Sequence, residues 1–158
     1  MNGSKTYKYI CIGLTFFLAF LTVNNVGSYS SSENVPTMRE SIISGLEEQA
    51  ELYESDPKMT EAFEAYILSI EESLTERRFR QHSLFRIIGC LLSLVGVVFL
   101  RLHKTIGLHL FVAGMIFSIF TGFYTLGIGI MGWVLNILYA VLLLTFGLYF
   151  FSKRKELA

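Results

Sequence analysis

The chain has 158 residues, of which 53% are hydrophobic and only 16% charged, and its mean hydropathy is +0.52. A soluble domain carries about 25% charged residues, and one this small buries a limited share of its surface. The composition therefore excludes a water-soluble globule and makes the lipid bilayer the first expected partner. Formal net charge is zero, but residues 33–76 hold twelve acids and two bases (Arg39 and Lys58), whereas the rest holds eleven bases and one acid, Glu156. Such a split signals segments in different environments. No basic stripe with interleaved aromatics occurs, so nucleic acid is not an expected partner.

Residues 1–8 form a basic N-terminus with Lys5 and Lys8. Residues 9–29 follow as the first apolar run, free of charge and near the ~20 residues that a spanning helix needs. A cleaved signal peptide is the rival reading. No clean small-x-small site follows, so an uncleaved anchor is preferred.

Residues 30–82 form an acidic segment read as two helices. Thr37 and Glu40 match a capping box for the first, which should end near Ser55. Asp56 before Pro57 caps the second. On it, Phe63, Tyr66, Ile67, Ile70 and Leu74 recur at helical spacing, with Glu64 and Glu71 on other faces. This apolar stripe and these two acids are the candidate docking residues for a protein partner or a second copy; the plainer reading is a hairpin that packs on itself. Neither proline nor glycine occurs from Lys58 to Ile88, so the second helix is expected to run on into the next span as one rod. The acids lack the spacing of a calcium loop.

Residues 83–100 form the second span, framed by Arg86 and Arg101. The fourteen residues between them reach only about 21 Å as helix, so both arginines are expected to extend toward opposite interfaces. Arg77, Arg78 and Arg80, just before this span, are expected to pair with the acids that precede them. Residues 101–104 make a short basic loop. Residues 105–152 carry no formal charge unless His109 is protonated; as one straight helix they would extend about 72 Å, more than a bilayer allows. Gly127, Gly129 and Gly132 mark the reversal. The third span is then residues 105–126, the turn 127–130, the fourth span 131–151 and the basic tail 152–158. Trp133 suits an interfacial aromatic position.

The fold expected is all-α: a polytopic bundle of four transmembrane helices with an acidic helical hairpin between the first two. Lysine and arginine place both termini in the cytoplasm of a plasma or bacterial inner membrane, which would keep the sequon at Asn2 from glycosylation. Cys11 and Cys90 fall at different depths and are read as separate small buried side chains.

Polar residues inside spans are the default functional candidates. They are Arg86, His109 and Asn136, with Arg86 and Asn136 at similar depth and able to bond across spans two and four. His109 is read as interfacial, and two-histidine haem ligation does not fit the positions of His82, His103 and His109. Small residues form faces on span two (Gly89, Ser93, Gly96) and span three (Gly107, Gly114, Ser118, Gly122), suited to close helix packing within the chain or between copies. No nucleophile elbow, zinc-protease motif or phosphate-binding loop is present. No enzyme activity and no cofactor are expected. The reading is a membrane protein that works by protein–protein interaction, as an accessory subunit, assembly factor or inhibitor-binding protein. The alternative is a small oligomeric channel or transporter component.

Overall fold

A computed structural model describes residues 3–154, and over these the chain is all-helical. The sequon at Asn2 and the tail residues 155–158 lie outside the described residues. Helix α1 spans Gly3–Ser30, and a short 3-10 turn at Ser32–Asn34 leads into α2, Val35–Glu51. Helix α3 is Pro57–Ser73, α4 is Glu76–Arg101 and α5 is Ile106–Leu126. Helix α6, Ile130–Leu142, passes through a π turn at Leu143–Gly147 into α7, Leu148–Ser152. The caps between them keep right-handed helical dihedrals, so α6 and α7 form one continuous rod. Four stretches are long and apolar enough to cross a membrane: Lys5–Ser30, Glu76–Arg101, Ile106–Leu126 and Met131–Ser152.

Helix α4 occupies the centre, packed against α1 on one side and α5 on the other. Its buried residues recur every three or four positions, from His82 and Ser83 through Arg86, Gly89, Cys90, Ser93, Gly96 and Val97 to Leu100, the stripe that a helix presents to its neighbours. The small faces of α4 and α5 meet each other. A methyl group on Gly114 would stand 2.6 Å from Gly89 O and 2.7 Å from Ser93 N; one on Gly96 would stand 2.8 Å from Gly107 O. The two backbones therefore touch where side chains are missing, the geometry that small-xxx-small patterns permit.

At one end of the bundle Tyr7 Oη donates to Leu100 O at 2.9 Å. Its ring stacks on His103 at 5.4 Å and meets Phe150 edge-on at 5.8 Å. His103 has φ 57° and terminates α4: its N–H reaches Leu100 O, and the Lys104 N–H reaches Phe99 O, the paired closure of a Schellman motif. At the other end the chain reverses through Gly127, whose φ of 80° glycine alone adopts without steric cost. Trp133 is exposed and meets Phe123 edge-on at 5.0 Å. Cys11 and Cys90 are both buried and unbridged.

Several details differ from the sequence reading. Helix α2 starts at Val35, with Pro36 in its first turn and no side-chain cap from Asn34, so Thr37 is already inside the helix and is not its cap. Proline's fixed φ suits that first turn. Helix α2 also ends at Glu51, before Ser55. The expected rod through residues 58–88 is broken. Leu74 and Thr75 leave helical geometry, and Thr75 Oγ1 accepts from Arg78 N at 3.3 Å. A capping hydroxyl thus ends one helix and starts the next without proline or glycine. Arg78 Nη1 donates to the backbone carbonyl of Glu72 at 2.8 Å rather than to a carboxylate, and Arg80 lies 4.9 Å over the Tyr29 ring. The Asp56 cap is present, accepting from Lys58 N and Met59 N.

The α4–α5 contact sets a testable contrast. Gly114→Ala is expected to lower stability by about 1–3 kcal/mol through overpacking, whereas Gly13→Ala, where an added methyl meets nothing within 4 Å, leaves it unchanged or raised. Thermal unfolding of both variants in mild detergent checks this; equal midpoints would remove the close contact.

Candidate functional site

The candidate site is a buried polar layer toward the Gly127 end of the bundle. Arg86 is its centre. Instead of reaching an interface, as its framing position suggested, it points inward and is 1% exposed. The cause is its place on the α4 stripe, between Ser83 and Gly89–Cys90, which faces the bundle interior. Arg101 lies fifteen positions further on, about 22 Å along the helix.

Three groups of α6 position its guanidinium. Nη2 donates to Asn136 Oδ1 at 2.5 Å and to Leu135 O at 3.0 Å, both from α6. The Tyr139 ring lies 3.6 Å from Cζ, a cation–π stack one helical turn beyond Asn136. Tyr139 Oη is held in turn by Asn25 Nδ2 at 3.3 Å from α1 and lies 3.6 Å from Cys90 Sγ on α4. From α5, Gly122 leaves the room that the Asn136 amide fills, and Ser118 Oγ crowds Gly89. One turn farther out, His82 Nδ1 lies 3.1 Å from Thr125 Oγ1.

The layer has more donors than acceptors. Among the described residues, Arg86 Nε, Arg86 Nη1, Asn136 Nδ2 and Ser118 Oγ are buried with no hydrogen-bond partner. Nε carries one hydrogen and Nη1 two, and the ring stack satisfies none of these in-plane groups. No Asp or Glu occurs in residues 77–155 or 1–32, so none of the long apolar helices supplies a carboxylate beyond Glu76 at the start of α4. Removing a cation from water costs several kcal/mol unless it is paired, and each charge-assisted bond offsets about 1.5–3 kcal/mol.

The other residues singled out from sequence separate into distinct places. Arg86 and Asn136 come together, as do Gly89, Ser93, Gly96, Gly107, Gly114 and Ser118 along α4–α5. His109 is exposed near the start of α5, with Nδ1 3.2 Å from Thr105 O, and Arg86 lies on the neighbouring helix α4. Ile70 and Leu74 are buried with Val35 against Tyr66, Phe79 and Met131. They are spent on the chain's own core and do not offer a docking stripe. Phe63 stacks on Tyr53 at 6.0 Å. Glu64 and Glu71 are exposed.

Tyr139 and Asn25 were not singled out. Tyr139 follows Asn136 by three positions on the same helix face, a signal the sequence does carry. Asn25 lies in a charge-free apolar run, and nothing local marks which neighbour it meets.

A second feature is a groove between α2 and α3 of about 660 Å³. Glu47, Glu51, Glu54 and Glu64 line it together with the apolar Ala50, Ile67 and Leu68. Helix α2 ends without a base in its last turn, so its carboxylates stand at the negative pole of the helix dipole, where cations are favoured. Among the described residues no cluster of three or more metal-ligating side chains occurs. Compared with protein-family models, curated proteins and solved structures, the chain matches none.

The polar layer predicts unequal costs for two substitutions. Asn136→Ala removes an acceptor from a buried cation and should destabilise by about 1–3 kcal/mol. Tyr139→Phe keeps the ring over Arg86 and should cost about 1 kcal/mol or less. Unfolding in mild detergent gives both numbers, and the reverse order would mean that the hydroxyl network, not the arginine, holds the layer.

Proposed function

We propose that the chain is a multi-pass integral membrane protein that works by binding another protein, through the acidic α2–α3 segment held outside the bilayer. Both termini then lie in the cytoplasm, with Lys5, Lys8, Arg101, Lys104 and Lys153 on that side. The observation that carries the reading is the α2–α3 groove. Its acidic and apolar lining residues complement a basic amphipathic helical segment of a partner, which would lay its apolar face on Ile67 and Leu68 and its cations on the glutamates. The carboxylates at the negative pole of α2 are locally unfavourable, and a cationic partner relieves that conflict. This places docking on Glu64 and Ile67 rather than on Ile70, Leu74 and Glu71.

A channel or transporter component is the second reading. The buried cationic layer at Arg86 favours it, since an ionisable group inside a bundle is a default functional position. The small faces that would have lined an assembly of copies are occupied within the chain by α4 and α5.

Two measurements test the proposal. A reporter fused after Ala158 should signal from the cytoplasm; an extracytoplasmic signal reverses the topology. For the groove, the chain in phosphatidylcholine nanodiscs is titrated with a basic amphipathic helical peptide and with its scrambled form. The designed peptide should bind more tightly, and weaken by about tenfold or more when Glu47, Glu51 and Glu64 are changed together to Lys. Glu71→Lys, outside the groove, should not matter. Equal binding to parent and triple variant would discard the groove as the docking surface.

A further inference from the structure

We infer that the layer around Arg86 is a binding site for a small inorganic anion of halide size, held by Arg86 and Asn136. The inference does not depend on the partner-binding reading. It starts from the excess of donors. Arg86 has three N–H bonds, on Nε and Nη1, and Asn136 has its Nδ2 amide, all buried and without an acceptor among the described residues. Ser118 Oγ is likewise unpartnered. Buried polar groups in folded proteins almost always have partners, and orphaned donors around a cation call for an acceptor that carries negative charge. The chain supplies no such group here, since Asp and Glu are absent from residues 77–155.

Shape and enclosure narrow the class. Arg86 Nη2 is already occupied by Leu135 O and Asn136 Oδ1, so neither two-pronged edge of the guanidinium is wholly free for a carboxylate or phosphate. A single spherical ion needs no paired edge: one open donor of Arg86 together with the Asn136 amide can hold it. Arg86 is 1% and Asn136 2% exposed, so a lipid headgroup with its tails has no room beside them. A polar track leads outward. One turn from Arg86 lies the His82–Thr125 pair, and next to Thr125 in the chain Leu126 and Gly127 line a groove of about 450 Å³ together with Ser69, Glu72 and Arg78. Arg78 gives that groove a cation and Glu72 an anion. Tyr139 stacks on the guanidinium and leaves its N–H edges to the ion.

The test uses the full chain in detergent at constant ionic strength, with gluconate replaced stepwise by chloride or bromide. A ligand that binds only the folded state raises its unfolding midpoint. The parent should show a saturable rise with either halide. Arg86→Gln should abolish it, and Asn136→Ala should weaken the half-saturating concentration by about tenfold, the loss of one hydrogen bond to an ion. Arg101→Gln, remote from the layer, should keep the response. Should Arg86→Gln fail to fold, Asn136→Ala carries the comparison. No halide-dependent rise in the parent would mean that water satisfies these donors and would overturn the inference. So would an equal rise in the parent and both site variants, which marks a general surface effect. Phosphate as effective as chloride would overturn the assignment of size.

Discussion

The close approach of α4 and α5 is the constraint on which the rest of the molecule depends. Where Gly89, Gly96, Gly107 and Gly114 face each other, no side chain separates the two backbones, and van der Waals contact replaces the usual layer of side chains. That contact places α4 at the centre, between α5 and α1. It also sets which face of α4 is turned inward. The small residues and the polar residues lie on one stripe, so docking the glycines against α5 carries His82, Arg86 and Cys90 into the interior with them. Within the chain that stripe is already covered by α5.

Arg86 converts this packing into a link between helices. Its guanidinium reaches a backbone carbonyl and an amide oxygen on α6, and Tyr139 passes the connection to Asn25 on α1. Helix α6 also follows α5 through the Gly127 turn, where the positive φ reverses the chain, and packs on it through Asn136 against Gly122 and Trp133 against Phe123. A charge in the interior of an apolar bundle is costly, and the layer meets that cost with a ring face and two acceptors while leaving other donors open. The imbalance distinguishes this layer from the opposite end, where Tyr7 bonds to Leu100 O and sits among His103, Tyr149 and Phe150.

The α2–α3 segment follows different physics. Its boundaries come from caps, Asp56 for α3 and Thr75 for the start of α4, and its apolar stripe is divided. Ile70 and Leu74 close over Val35 near the Gly129 end of the bundle, which anchors α3 there, while Ile67 and Leu68 line the acidic groove. Charge and apolar surface that sequence periodicity places on one helix thus serve two separate tasks.

Features governed by neighbours in the chain were legible in the sequence. The four long apolar runs, the reversal at Gly127, the Asp56–Pro57 start and the small faces of α4 and α5 depend on hydropathy, dihedral freedom and spacing, all of which are local. The Thr75 cap was local too, but the absence of proline and glycine over residues 58–88 suggested a continuous rod in its place. Arg86 is the contrary case. Its position near the end of a short apolar run implied an outward path to water, and only the packing of α4 between two helices turned it inward. Whether a side chain on a helix meets solvent or its own fold is set by the rotation of that helix against its neighbours, and that rotation came from glycine contacts with α5, a long-range match that no single segment contains.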